Sequence, residues 1–584
     1  MNALKLLREA GFSELAYQFA AYISRQQQND DPVVTLTAGL LSETISEGHV
    51  CLNLNDFQSL NPVIQSAIPE ASLWLDHLQK SEVIGAPGEF KPLVLTTDGL
   101  LYLYRYWQSE QQVATAIQQR LKDGDILPAA EKLSTFMADW QNNLPDTDWQ
   151  KVAVLSALRR QLCVISGGPG TGKTTVVLKI LQCLQLNDDK PRVALAAPTG
   201  KAAARLQQAI SQHTDEQYVA KTLHRLLGIS ARFDQGRYSA ERPLPVDVLI
   251  VDEASMIDIN LMAITLKALP LHARLILLGD SDQLASVESG AVLANLCADT
   301  PDFSVDFRSW VKQISEIELP VSRDDNPLQD SLVKLKHSYR FAAGGQVGQL
   351  AQAVNRGDAE QVTDLLVNQS FSALSVPSTE NIQTQLLNGY QHFIETIEKR
   401  ANAVSCIQAF EAFRMLCAVK NGQQSVYSVN QLMSQLLAKR GWRTAQPYYP
   451  GRPVMITQNH YRQNLFNGDI GLVLPNAEGE LQACFLFGEE LRWLPLSRLP
   501  AHETVFAMTV HKSQGSEFDH VSLLLPQEDS VVLSRELVYT ALTRARQTVN
   551  ILSTQPVLQQ AVLRRHQRES GLAQLLANIR QTLS

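Results

Sequence analysis

Across its 584 residues the chain has no stretch approaching the roughly 18 uninterrupted apolar residues that cross a bilayer, although 45% of the residues are hydrophobic. A soluble protein is the expectation. Cysteine is scarce: the seven, at positions 51, 163, 183, 297, 406, 417 and 484, include no C-x-x-C pair and have no histidine at zinc spacing. That argues against a disulfide-stapled secreted fold and a zinc cluster, and it predicts free thiols in a reducing cytoplasm. In that compartment Asn368-Gln369-Ser370 is a chance glycosylation tripeptide. Positive charge is not in surplus either. With 51 Lys+Arg against 59 Asp+Glu the net charge is −8, which argues against coating nucleic acid by bulk electrostatics and confines any such contact to a local groove. The first residues lack an export signal's unbroken apolar stretch. Leu4, Leu7, Phe12, Leu15, Phe19 and Ile23 stand at near-helical spacing with Arg8 and Glu9 among them, so an amphipathic helix is predicted.

The strongest positive feature is G-G-P-G-T-G-K-T at 167–174, directly after the apolar run 162–165 and before the helix-like 174–186. Glycines at this spacing let successive backbone N–H groups curl around phosphates. Lys173 reaches the terminal oxygens and the Thr174 hydroxyl is placed for Mg²⁺. A nucleoside triphosphate site follows. The length exceeds what one core serves, and roughly three or four domains are expected. The first ~125 residues read as mostly helical with no catalytic set. In them L-Y-L-Y-R-Y-W at 101–107 either stacks on bases or docks on a partner, or, more plainly, is a half-buried strand. Pro145-Asp146-Thr147-Asp148 reads as a turn and helix cap.

From residue 162 aliphatic runs at 192–197, 246–251 and 274–278 alternate with helical stretches, and a second such set lies at 506–510, 521–525 and 548–552. Two parallel doubly wound sheets are predicted, with their sites at the strand C-termini. Between them 451–499 shows alternating strands and hairpin signals at Asn467-Gly468 and Glu478-Gly479, a small β-rich insertion. The segments 301–330 and 370–379 read as loops.

Chemistry gathers at the strand ends. Asp252-Glu253 closes one aliphatic run, which suits Asp252 to hold Mg²⁺ and Glu253 to orient and deprotonate an attacking water. Gln283, in G-D-S-D-Q, is either a γ-phosphate sensor or a loop-capping amide. Hydrolysis across two lobes also calls for positive charge from the far side, and Arg340 and Arg544 are the candidates. Taken singly, each arginine also fits a surface ion pair.

In order, the chain carries G-G-P-G-T-G-K-T at 167, A-A-P-T-G-K-A-A at 196, T-L-H-R-L-L-G at 222, V-D-E-A-S-M-I-D at 251, G-D-S-D-Q-L-A-S-V at 279, S-Y-R-F at 338, T-V-H-K-S-Q-G-S-E-F-D at 509 and Y-T-A-L-T-R-A-R at 539. This set resembles the superfamily 1 helicases. Within them, A-A-P-T-G-K-A-A-A-R-L, the tract from 451 ending in L-F-N-G-D-I-G, and R-E-L-V-Y-T-A at 535 are similar to the RecD family, and the likeness covers nearly the whole chain.

The resemblance implies an α/β fold of two RecA-like lobes, at 126–330 and 331–584. A helical partner-docking domain at 1–125 precedes them, and an SH3-like insertion at about 450–500 lies in the second. It implies an ATP- and Mg²⁺-dependent 5′ to 3′ DNA helicase subunit of an exodeoxyribonuclease V (RecBCD) complex, acting in double-strand break repair and DNA degradation. RecB and RecC are the implied partners, RecC through the N-terminal domain. No carboxylate and lysine set for nuclease chemistry stands outside the ATP site, so that activity falls to RecB. The implied nucleotide set is Gln150 for adenine, Gly167, Gly168, Pro169, Gly170, Thr171, Gly172, Lys173, Thr174 and Thr175 for the phosphates, and Glu517 near the sugar. Gln283, Arg340 and Arg544 match the sensor and the two arginine fingers. Pro198, Thr199, His224, Thr509 and His511 fall in motifs that touch single-stranded DNA, though a lone histidine such as His224 also fits a structural role. A stand-alone helicase and a nucleotide-switched scaffold are the alternatives. Intact Lys173, Glu253, Gln283, Arg340 and Arg544 weigh against the scaffold.

Overall fold

The structure is a computed structural model that describes residues 3–29, 31–57, 61–69, 71–124, 126–141, 147–213, 218–230, 235–298, 303–320, 328–339, 345–368, 372–488 and 490–583. Two parallel sheets form its centre. In the first, the strand order is Leu332–Leu335, Leu162–Gly167, Arg274–Gly279, Val248–Val251, Val193–Ala197, Ala220–Thr222, every pair parallel. Leu162–Gly167, Val248–Val251 and Arg274–Gly279 are buried along their whole length. That is why they read as unbroken aliphatic runs: helices cover both faces, so no polar alternation is needed. The second sheet, Ser372–Ser375, Ala545–Leu552, Phe518–Leu524, Phe413–Cys417, Ala507–Thr509, is also wholly parallel. In both, the strand order crosses over, and the crevice this leaves opens beyond the strand C-termini.

The insertion is a five-stranded antiparallel sheet in the order Glu490–Pro495, Leu481–Phe487, Ile470–Pro475, Pro453–Ile456, His502–Thr504. Its own core includes Val454, Ile456, Val473 and Phe485. The N-terminal region is helical around a small four-stranded sheet; beyond the strand expected at 101–107, its strands span only two or three residues, too few to show a period. The tract at 101–107 splits there: Leu100–Leu103 is a strand and Tyr104–Gln118 a helix. Tyr102 and Tyr106 are buried, which leaves them unavailable for stacking on bases.

The segments expected as loops differ in part. Val305–Ser315 is a helix, capped by the Ser304 hydroxyl and burying Phe307, Val311 and Ile314 at helical spacing; the polar residues between them masked the pattern. Ser372–Ser375 is the edge strand of the second sheet. Strand Leu332–Leu335 pairs with Leu162–Gly167, so the first sheet's last strand lies beyond residue 330. Pro145 and Asp146 lie outside the described residues, while Asp148 caps helix Trp149–Arg159 by accepting from the N–H groups of Gln150 and Lys151. The C-terminal helix Leu572–Leu583 returns to pack on Tyr104–Gln118, with Leu572 and Leu576 in the first lobe's core.

All seven cysteines are free thiols, six buried and Cys297 half-buried. Burial pushes the thiols of Cys163, Cys183 and Cys297 up to about 12, which makes them poor nucleophiles.

Candidate functional site

The loop at 167–172 joins the buried strand Leu162–Gly167 to helix Lys173–Leu184. Gly170 and Gly172 take φ of +74° and +83°, a region that side chains resist. Space is also short: a Cβ on Gly172 would lie 2.1 Å from Gln150 Nε2, and one on Gly167 would lie 2.6 Å from Thr171 Oγ1. Gln150, only 6% exposed, donates from Nε2 to the Thr171 carbonyl at 2.9 Å, so the glutamine expected to read adenine also braces the loop. Lys173 Nζ donates to the carbonyls of Gly167 and Gly168 at 2.6 and 3.1 Å. Helix Lys173–Leu184 presents its N-terminal amides to the same space.

A cleft of 580 Å³ opens here, and Pro169, Gly170, Gly172, Lys173, Thr174, Asp252, Glu253, Gln283, Glu517 and Arg544 all line it. The lining thus draws on both lobes. Asp252 and Glu253 follow strand Val248–Val251, and Glu253 sits at φ 53°, a left-handed conformation that costs a non-glycine residue roughly 1 kcal/mol and is characteristic of functional turns. Burial, and then the neighbouring Glu253 charge, push the Asp252 carboxyl up to about 6. The two carboxyl groups and the Thr174 hydroxyl line the same cleft and offer the hard oxygen donors that suit Mg²⁺. Gln283 Nε2 donates to Asp280 Oδ2 at 2.9 Å, which is the loop-capping arrangement, while the residue also lines the cleft, where a sensor is expected.

Arg544 comes from the turn after helix Arg535–Leu542 and is 3% exposed. Its Nε donates to the Thr540 carbonyl at 3.2 Å and its Nη1 to the Ser516 carbonyl at 3.3 Å. Burial lowers its pKa, the largest opposing effect coming from Glu253. A guanidinium held dry, with no ion pair within 4 Å among the described residues, is poised for an incoming anion. Arg340 lies outside the described residues. Just before it, the Tyr339 N–H donates to the Gly170 carbonyl at 2.8 Å and Ser338 Oγ to the Pro169 carbonyl at 3.0 Å.

Three further residues join the site. Arg205, on helix Gly200–Ser211, pairs with Glu517 at 2.8 Å and donates to the Gly515 carbonyl at 2.8 Å. Arg546 closes on Glu517 from the other side at 3.3 Å. Arg205 stands in G-K-A-A-A-R-L and Arg546 in T-R-A-R, and the signal is the second cation in each, after Lys201 and Arg544. Tyr539 donates its hydroxyl to Asp280 Oδ2 at 3.2 Å and packs against Gly168, where a Cβ would lie 3.0 Å from it. Nothing local in the sequence marks that contact.

The residues expected to touch DNA fall into two groups. Pro198 and Thr199 follow strand Val193–Ala197, with Thr199 capping the next helix, and His224 is exposed just past the adjacent strand Ala220–Thr222. From the second lobe, Thr509 ends strand Ala507–Thr509, and the following turn reaches Gly515, whose Cβ position lies 3.7 Å from Ala202 and 4.0 Å from Thr199 Oγ1. Thr199 and the 509–515 turn therefore meet across the lobes. His511 is largely enclosed: burial first, then the charges of Arg568 and His566, lower its pKa.

Two parallel-sheet lobes, with a phosphate-binding loop and acidic pair on one and a buried arginine arriving from the other, define a two-lobed nucleotide-dependent motor of the helicase type. Family models agree along the chain: residues 8–102 match the N-terminal domain of the RecBCD enzyme subunit RecD, 150–289 an AAA domain, and 504–552 a UvrD-like helicase C-terminal domain. The chain is 36% identical over 527 residues to the RecBCD enzyme subunit RecD of Haemophilus influenzae, covering 82% of this chain and 81% of that one. It is 35% identical to the subunit of the same name from Mycobacterium tuberculosis, covering 93% and 91%. It is 30% identical to an ATP-dependent RecD2 DNA helicase of Deinococcus radiodurans, with 83% of this chain but 59% of that protein covered. The chain belongs to the RecD family.

Proposed function

We propose that this protein is the ATP-dependent 5′ to 3′ DNA helicase subunit of a RecBCD-type exodeoxyribonuclease V complex, with RecB and RecC as partners. Its setting would be double-strand break repair and DNA degradation in the cytoplasm. The observation that carries this reading is the single cleft in which Lys173, Asp252, Glu253 and Gln283 of one lobe face Arg544 of the other. ATP held there is a bond between lobes. The loop amides and Lys173 bind its phosphates, Glu253 orients and accepts a proton from water, and Gln283 reads the γ-phosphoryl group. Arg340 and Arg544 meet the charge that spreads over that group's oxygens as it departs. Thr174 and Asp252 would hold Mg²⁺, which supplies countercharge to the phosphates. Release of that bond after hydrolysis lets the lobes part. The Thr199 and 509–515 contacts then shift along a sugar-phosphate backbone. Binding through backbone and base faces makes the movement sequence-tolerant and salt-sensitive.

The N-terminal region at 1–125 is the part that docks on RecC, and the nuclease centre resides in RecB. The lobes divide as 126–330 and 331–584, with strand Leu332–Leu335 reaching back into the first sheet. A stand-alone helicase is the second reading; the Deinococcus radiodurans relative is named as a helicase and not as a subunit. Copurification with RecB and RecC separates the two. ATP hydrolysis stimulated by single-stranded DNA tests the motor itself. Lys173→Gln is expected to lower the turnover at least about a hundredfold, and hydrolysis indifferent both to DNA and to that change would sink the proposal.

A further inference from the structure

Residues 564–571 run from the end of helix Gln555–Leu563 to helix Leu572–Leu583, and along that path they touch the second lobe, the first lobe and the N-terminal region. The His566 N–H donates to Glu536 Oε2 of the second lobe at 3.0 Å. At the N-terminal sheet, the Val50 N–H donates to the Glu569 carbonyl at 2.9 Å and the Glu569 N–H to His49 Nδ1 at 2.9 Å. Ser570 Oγ and the Gly571 N–H close on the Glu110 carboxylate at 2.5 and 3.2 Å.

In the middle, Arg568 grips the first lobe. Its Nη1 donates to the carbonyls of Glu288 and Gly290 at 2.7 and 2.9 Å, and its Nη2 to the Ser286 carbonyl at 2.6 Å. The guanidinium packs directly on Gly48, where a Cβ would stand 2.7 Å from Cζ. The loop so held is the continuation of Gln283. Its Leu284 is fixed to the second lobe, the N–H donating to Thr540 Oγ1 at 2.9 Å and the carbonyl accepting from Gln514 Nε2 at 2.7 Å. Its far end is fixed to the N-terminal region, Ser289 Oγ and the Gly290 N–H donating to the carbonyls of Ile45 and Gly48. A largely buried cation spent on neutral carbonyls defines loop geometry at the cost of its own hydration.

We propose that Arg568 is a positioning residue for ATP hydrolysis: by fixing the carbonyls of Ser286, Glu288 and Gly290 it holds the loop that carries Gln283, so that the amide meets the γ-phosphoryl group when the lobes close. The inference rests on reading the cleft as that of an ATPase motor. The test uses the full chain with single-stranded DNA, measuring kcat and KM for ATP, affinity for a fluorescent ADP, and Tm. Arg568→Ala should lower kcat at least about tenfold while KM and ADP affinity stay within about twofold, since only the transition-state contact is misplaced. Arg568→Lys should recover part of the loss, because an ammonium can serve some of the carbonyls. Tyr102→Phe, which deletes a buried hydrogen bond to Glu110 without touching the loop, should lower Tm and leave kcat intact. Unchanged kcat in Arg568→Ala, or losses of kcat in both variants that track Tm, would overturn the assignment. A wild-type chain without DNA-stimulated hydrolysis would instead overturn the motor reading beneath it.

Discussion

Gly172 shows how little freedom the nucleotide loop has. Its φ is +83° and a Cβ would stand 2.1 Å from the amide nitrogen of Gln150, itself bonded to the Thr171 carbonyl. Backbone strain and steric conflict therefore act on the same residue. Gly172→Ala should cost about 1–2 kcal/mol of stability and raise KM for ATP, because Gln150 must leave the loop it braces. Thermal unfolding and steady-state kinetics check both, and unchanged values would mean the loop is more plastic than its hydrogen bonds imply. At this scale the loop side of the cleft was legible in the sequence, since its glycines, lysine and hydroxyl stand close together at fixed spacing. Arg205, Arg546 and Tyr539 were not, because each acts through a partner distant in the chain: Glu517 for the two arginines, Asp280 for the tyrosine.

Among the elements, the extended segment 564–571 ties the N-terminal region to both lobes, and it carries a pH signature. The Glu569 N–H donates to His49 Nδ1, so His49 is an acceptor there and must be neutral at that nitrogen. Burial, then the nearby charges of His566 and Arg568, push its pKa from 6.5 down to about 4. A histidine whose folded pKa is lowered leaves stability intact above its unfolded value and removes it as pH falls. The loss begins near pH 6.5 and is complete below about pH 4, with an upper limit of about 3 kcal/mol. Buried Asp252 and Glu110, whose carboxyl pKa values are raised, act with the opposite sign. The measurement is therefore a difference: Tm against pH for wild type minus that for His49→Gln. It should be flat above pH 7 and fall between pH 6.5 and 4; a flat difference throughout would contradict the neutral, hydrogen-bonded histidine. No periodicity announces this segment, because an extended strap satisfies its backbone through scattered partners, from Arg535 and Glu536 to His49, Val50 and Glu110. The two- and three-residue N-terminal strands and helix Val305–Ser315 are hidden in the sequence for a related reason, being too brief or too polar for a clear period.

At the scale of the whole molecule, both parallel sheets were legible, since strands buried on two faces write themselves as aliphatic runs ending in functional residues. How the lobes are joined was not. Asp280 to Tyr539, Leu284 to Thr540 and Gln514, and Arg205 to Glu517 all bind first-lobe residues to second-lobe ones beside the cleft. On the proposed reading, these ties couple nucleotide chemistry to lobe movement, as a motor requires. The most direct test is unwinding of 5′-tailed against 3′-tailed duplexes by the wild type and Lys173→Gln, each alone and reconstituted with RecB and RecC. The account predicts ATP-dependent unwinding from 5′ tails that disappears with Lys173→Gln, whereas DNA-independent hydrolysis with no 5′-tail unwinding in either setting would contradict it.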